Sequence, residues 1–269
     1  MSWCLIHNRV AEFATAIGYD RAGLGWSEAA PHRATAADAA RDLALLLERA
    51  EIPGPIVLVG HSFGGLVARV FEETYPGRVS GLVLVDPVSR AEWRDGGEER
   101  ARMLARGVTL ARRGAVLARL GIVRLALKLA LSGSRTIPKF LAKASAGRSA
   151  RMTDRMAGEV RKMPRELWPA VAEHWGEARC FRALANALES LPVSVDQLDE
   201  NRPLGDLPTI VLSAATATPQ VMEEHARDAR LSTRGEHLVV PGASHWMQLD
   251  TPDIVVEAIR RAVNAAGGF

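Results

Sequence analysis

A serine set among glycines, Gly60-His61-Ser62-Phe63-Gly64-Gly65, joins two stretches of opposite character. Before it, Pro55-Ile56-Val57-Leu58-Val59 is a continuous apolar run, as expected of a strand buried on both faces. After it, Phe63 to about Tyr75 follows a helical pattern. A strand that turns straight into a helix must bend sharply, and small neighbours let the bend close. The serine hydroxyl is then held up at the C-terminal end of the strand. The first amides of the helix point toward it, where developing negative charge is stabilised.

The rest of the chain supplies the alternating strands and helices that such a bend requires. Thr15–Tyr19 reads as a short strand, preceded by a helix over Trp3–Phe13 and followed by a loop punctuated by Gly23, Gly25 and Pro31. A helix starts near Thr35, with Asp38 three residues on as its capping partner and Ala36, Ala40, Leu43 and Leu47 as its apolar face. Leu82–Val85 is a further buried strand ending at Asp86-Pro87, and Thr209–Leu212 and His237–Val240 are two more. The last helix has Thr251 as N-cap, Pro252 at its first position, and Val255, Ala258, Ile259 and Ala262 as its buried face. Between Ser89 and about Asn201 the strand pattern stops, and an Ala-, Leu- and Arg-rich segment reads as helices. The expected fold is therefore α/β, a mostly parallel twisted sheet flanked by helices. Residues 1–90 and 201–269 form its core, and residues 91–200 form a basic, helical cap.

Charge is unevenly spread. The net charge is only +3, which gives no general argument for a nucleic-acid partner. Residues 100–165, however, carry 17 Lys and Arg against two acids, so a strongly basic insertion sits on an acidic core. Val116, Leu117, Leu120, Val123, Leu127 and Leu131 can line one side of a helix there, with Arg113, Arg124, Lys128 and Arg135 among the basic positions around it. The plain reading is a solvated basic face on a packed cap. The sharper ones are contact with an anionic membrane surface, or attraction for an anionic substrate. Gly114–Leu131 is interrupted by Arg119, Arg124 and Lys128 and is not expected to span a bilayer. The start of the chain lacks the pattern of a signal peptide, and the two cysteines, Cys4 and Cys180, show no metal-ligand spacing. Two lone thiols fit a reducing, cytoplasmic compartment.

A serine hydroxyl needs a base to become nucleophilic. Among seven histidines, His245 follows the last strand in Pro241-Gly242-Ala243-Ser244-His245, at the same sheet edge as Ser62. His61 neighbours the nucleophile but points to the other face, as a structural residue or part of the pocket wall. For the acid that orients the base, Asp86 stands directly after the strand that follows the bend. The loop after Leu212 (Ser213-Ala214-Ala215-Thr216-Ala217-Thr218) holds no acid, and Glu223 or Glu224 further on are the alternatives. Asp250 lies too near His245 in sequence to be its partner and suits a cap on the last helix. Trp93, Trp168, Trp175 and Trp246 could furnish an apolar acyl pocket, Trp246 being nearest the base.

Tyr19-Asp20-Arg21-Ala22-Gly23-Leu24-Gly25-Trp26-Ser27, Val59–Gly65, Leu82–Pro87 and Gly242-Ala243-Ser244-His245-Trp246 together resemble the α/β-hydrolase fold family, in its serine-nucleophile branch. The resemblance covers about residues 1–90 and 205–269. In that family the acid can follow either of two strands, and the acid-free loop after Leu212 leaves the Asp86 position. The resemblance also implies further strands before the Tyr-Asp-Arg loop, one of them next to the nucleophile's strand and supplying a second oxyanion amide. Here the chain reaches Asp20 almost at once, so the first strands are expected to be missing and the Phe63 amide to be the remaining oxyanion donor.

The function expected is hydrolysis of an ester or related acyl bond of a small molecule. Ser62, His245 and Asp86 would form a triad, Phe63 would donate to the oxyanion, and Trp246 and His61 would line the substrate site. No metal or organic cofactor is implied. The alternatives are acyl transfer or a lyase reaction on the same residues, or a catalytically weak binding protein that retains the pocket.

Overall fold

The computed structural model describes residues 2–30, 35–131 and 158–267, with the side chains of residues 129–131 left out. Leu131 and Arg135 of the expected basic helix fall outside the described side chains. The described chain divides into two compact units, one of Ser2–Gly18, His32–Leu104 and Glu189–Phe269, the other of Tyr19–Pro31 and Ala105–Leu188. Residues 91–104 and 189–200 thus group with the sheet, and the Tyr19–Pro31 loop with the helices, so these limits differ from a division at 90 and 201.

The first unit is built on four parallel strands, β1 (Ile56–His61), β2 (Val79–Val85), β3 (Thr209–Ala214) and β4 (Gly235–Val240), lying side by side in that order. The period-2 alternation sends Leu82 and Leu84 to one face and Val83 and Val85 to the other. On the first face pack α2 (Ala36–Arg49) and α3 (Phe63–Thr74) through Leu43, Leu47, Val67 and Phe71. On the second pack α1 (His7–Val10) and, after the short α10 (Met247–Asp250), α11 (Pro252–Ala265), through Ile6, Val10, Val255 and Ile259. The capping box at Thr35 forms as expected: Asp38 N–H donates to the Thr35 hydroxyl and Thr35 N–H to the Asp38 carboxylate. Ala36, Ala40, Leu43 and Leu47 are the buried residues of α2.

Four expectations are corrected. Pro55–Val59 reads as doubly buried, yet in β1 only Gly60 is buried. Among the described residues β1 pairs with β2 alone and is an edge strand, whereas Leu82–Val85 in β2 are fully enclosed. Thr15–Tyr19 has no strand structure, and Trp3–Phe13 contains a helix only over His7–Val10. Without a neighbouring strand to bond to, a short alternating run gains nothing from extension, and Trp3, Phe13, Ala14 and Ala16 pack instead against the second core face. Thr251 stands at the N-cap of α11, but its hydroxyl donates back to the Met247 carbonyl rather than capping the helix.

The second unit is helical in its described residues. It contains most of α5 (Gly97–Arg119), α6 (Ile122–Leu131), α7 (Trp168–Trp175) and the first part of α8 (Ala178–Val195). Gly121, at φ +74°, separates α5 from α6. The single apolar helix face expected across Val116–Leu131 is therefore not formed. The buried stripe of α5 is Val108, Ala111, Ala115 and Ala118, while Val116, Leu117 and Leu120 face outward. Gly114 lets Phe181 approach the α5 backbone: a Cβ there would lie 2.4 Å from its ring. The Tyr19–Ser27 loop folds on itself, with the Ser27 hydroxyl donating to the Asp20 carbonyl at 2.6 Å. Arg179 donates to the carbonyls of Gly25 and Ser27.

Candidate active site

The ends of all four strands contribute to one polar cluster at the C-terminal edge of the sheet. After β1 comes Ser62, at φ 54°, ψ −120°, a conformation that costs a non-glycine residue about 1–3 kcal/mol. Two neighbours of the bend are fixed by sterics. A Cβ on Gly60 would sit 2.3 Å from the Gly64 carbonyl oxygen, and one on Gly65 would sit 2.9 Å from Pro87 Cβ. Gly64, the second glycine of the Gly-x-Ser-x-Gly pattern, has open space where its Cβ would be. The bend is tied to the next loop: Ser62 N–H donates to the Val85 carbonyl and Val88 N–H to the Ser62 carbonyl. The Ser62 side chain does not cap α3. Phe63 is the first residue of α3, at its positive end.

After β2 comes Asp86, also at positive φ (43°) and only 9% exposed. Its N–H donates to the Leu212 carbonyl. Its Oδ1 accepts from the Ala214 amide at the end of β3 (3.0 Å). Its Oδ2 lies 2.6 Å from His245 Nδ1. A carboxylate can only accept, so Nδ1 carries the hydrogen, and in the neutral ring Nε2 keeps its lone pair. Burial alone would raise the Asp86 pKa, but the bonds from His245 and Ala214 outweigh it and hold the carboxyl below its ordinary range.

After β4 comes the loop bearing His245, held from both sides. Asp250 accepts from the Ser244 amide (2.9 Å) and hydroxyl (2.5 Å), so it braces this loop instead of capping the last helix. From the other side His61 Nε2 donates to the His245 carbonyl at 2.6 Å, while Gln248 reaches His61 Nδ1 at 3.4 Å. The His61 ring also packs against those of His245 and Trp246, with centroids 4.6 and 5.4 Å away. His61 thus stands against the backbone of the His245 loop, with Trp246 beside it.

Glu223 and Glu224 lie elsewhere. Glu223 is exposed and pairs with Arg230. Glu224, on α9 (Pro219–Arg230), is buried and accepts from Ser89 Oγ, Arg90 N and Ala91 N, beside the Arg90 guanidinium. That network, completed by Asp228 and Arg69, ties α9 to α4 (Arg90–Arg94). The remaining tryptophans have other neighbours: Trp93 lies under Arg100, Trp168 donates to the Met163 carbonyl, and Trp175 meets Phe181 edge-on.

A buried relay under the Asp86 loop gives no signal in the sequence beyond a polar residue in a strand. His225 Nε2 donates to the Pro87 carbonyl at 3.0 Å. In the neutral ring Nδ1 then accepts from Ser213 Oγ (2.7 Å), and Ser213 in turn accepts from His237 Nε2 (2.7 Å). The acid-free loop after Leu212 thus contributes through Ser213 and the Ala214 amide rather than a carboxylate. Among the described residues no group of three or more His, Cys, Asp or Glu could hold a metal ion.

A model of the alpha/beta hydrolase family matches residues 1–258. A thermophilic esterase from Thermogutta terrifontis is 26% identical, over 92% of this chain and 78% of that one, with a TM-score of 0.56. A mutant of a protein assigned as an epoxide hydrolase in Pseudomonas aeruginosa is 21% identical over 98% of this chain and 84% of that one, with a TM-score of 0.68; this likeness shows the fold alone. An uncharacterised protein of Schizosaccharomyces pombe is 34% identical over 86 residues, 32% of this chain, so the chain spans only 16% of that relative.

Proposed function

The chain belongs to the alpha/beta hydrolase family, and from that premise we propose that it is a serine hydrolase of a small-molecule ester or related acyl bond. The observation that carries this reading is the 2.6 Å bond from His245 Nδ1 to Asp86, which leaves Nε2 as a base at the sheet edge where Ser62 stands in its strained bend. Similarity to the Thermogutta esterase supports an ester as the bond cleaved.

In this mechanism His245 Nε2 takes the Ser62 proton as Oγ attacks the acyl carbon. The Phe63 amide, at the start of α3, donates to the oxyanion that forms. Collapse breaks the bond to the leaving group, which receives the proton from His245. Water, activated by the same imidazole, then hydrolyses the acyl-serine and regenerates Ser62. Asp86 fixes the imidazole and stabilises its charged form. Trp246, with His61, forms the wall next to the base on which an apolar acyl group rests. The free thiols Cys4 and Cys180 support placing the enzyme in a reducing, cytoplasmic compartment.

A panel of acyl esters of increasing chain length tests the reading. Turnover that peaks at one length and disappears in Ser62→Ala is expected. A folded protein that binds acyl compounds without turning any of them over would instead be a binding protein that has kept the pocket.

A further inference from the structure

We infer that the corner formed by α5 and α6 docks on an anionic phospholipid membrane. From residue 100 to residue 153 the sequence has no Asp or Glu and carries 13 Lys and Arg. Helix α5 runs through this stretch with two apolar sides. Its alanine-rich stripe, Val108, Ala111, Ala115 and Ala118, is buried. On the opposite side, at positions separated by three, four and seven residues, stand Leu110, Arg113, Val116, Leu117 and Leu120, all exposed. Val116 is 61% exposed and Leu120 67%. Past the turn at Gly121 the patch continues on α6 with Ile122 and Leu125, the latter 60% exposed. Arg119, Arg124 and Lys128 are exposed among these aliphatic residues.

A solvated basic face would not need five or six aliphatic side chains in water. Contiguous exposed apolar residues rimmed by cations mark an interaction surface. The two features together fit the boundary between lipid headgroups and acyl chains, where the aliphatic groups enter the apolar layer and the cations meet phosphate. Beside Val116, a cleft of about 370 Å³ is lined by Arg112, Arg119, Arg182 and Asn186. The guanidinium groups of Arg119 and Arg182 on this cleft suit a phosphate headgroup. Among the described residues the patch presents no aromatic side chain on which a nucleic-acid base could stack, which favours lipid over a polynucleotide. Among the described residues no helix is long and apolar enough to cross a membrane, so the contact is peripheral.

The test is co-sedimentation of the full chain with vesicles of phosphatidylcholine alone and of phosphatidylcholine mixed with phosphatidylglycerol, at low and high salt. Binding to the mixed vesicles only, weakened by salt, is expected. Arg113→Gln and Arg119→Gln should each weaken it about five-fold, and Leu117→Ser/Leu120→Ser should weaken it without altering circular dichroism. All these side chains are exposed, so the folded protein is retained. Equal binding to both vesicle types, no binding, binding unaffected by the variants, or competition by duplex DNA for the same residues would each overturn the proposal.

Discussion

His245 Nδ1 donates to Asp86 Oδ2 at 2.6 Å, joining the loops after β4 and β2 across 159 residues of sequence. Asp86 has three further constraints: its backbone N–H donates to the Leu212 carbonyl, its Oδ1 accepts from the Ala214 amide, and its backbone lies at positive φ. An acid held this firmly can select one imidazole tautomer. Asp86→Asn keeps the shape but can offer an amide hydrogen where Nδ1–H needs an acceptor. It is expected to lower kcat about 10⁴-fold, with KM far less affected, measured on whichever ester proves to be turned over.

Gly60 and Gly64 look equivalent in the sequence pattern and are not equivalent in the fold. Gly60→Ala would drive a methyl against the Gly64 carbonyl, a backbone group that cannot move without opening the bend. Gly64→Ala places a methyl in open space inside a helix, and is expected to stabilise by about 0.5–1 kcal/mol. Denaturant unfolding of the two variants should therefore shift in opposite directions.

Glu224 tests the proposed assignment of Asp86 as the acid that orients His245. Removing its charge leaves the Arg90 guanidinium, buried to 2% exposure, partly unmatched. Loss of one partner in a buried pair typically costs about 3–5 kcal/mol. Glu224→Gln is expected to lower the unfolding free energy by about this amount, with activity per folded molecule unchanged. Loss of activity in a fully folded sample would return Glu224 to consideration as the acid that orients His245.

Acid unfolding should come in two stages. Burial, with help from His225 and Arg230, holds the His237 pKa below its ordinary 6.5. Protons therefore prefer the unfolded chain, and stability falls as pH drops below about 6.5. Asp86 is also held below its ordinary 3.8, so its contribution is complete above that pH and is lost only below it. His237→Gln, which keeps a donor toward Ser213, should remove the first stage and leave the second. Urea midpoints measured from pH 7 down to pH 3 distinguish the two.

Much of this site was legible because its local chemistry is short-range. The bend at Ser62, the strands at Leu82–Val85 and Thr209–Leu212, and the capping box at Thr35 are each written within about a dozen consecutive residues. What was not legible depends on distant partners. The second contact of Asp86 comes from a backbone amide at Ala214, which no side-chain pattern reveals. Asp250 reads as a helix cap until the return of the loop puts the Ser244 amide and hydroxyl on it. On α5 the buried face is the alanine stripe and not the leucines, because a close neighbour such as Phe181 leaves little room beside the helix. Strand β1 carries the composition of an enclosed strand, and its half-buried state follows from pairing on one side alone.

The central claim is that Ser62 is a nucleophile activated by His245. Intact-mass analysis after exposure to a fluorophosphonate tests it most directly, since the reagent forms a stable phosphonyl-serine only where the hydroxyl is activated. The expected result is a single adduct mapped to Ser62, absent in Ser62→Ala and strongly slowed in His245→Gln. A folded wild-type protein that takes no adduct, or takes it at another residue, would contradict the account.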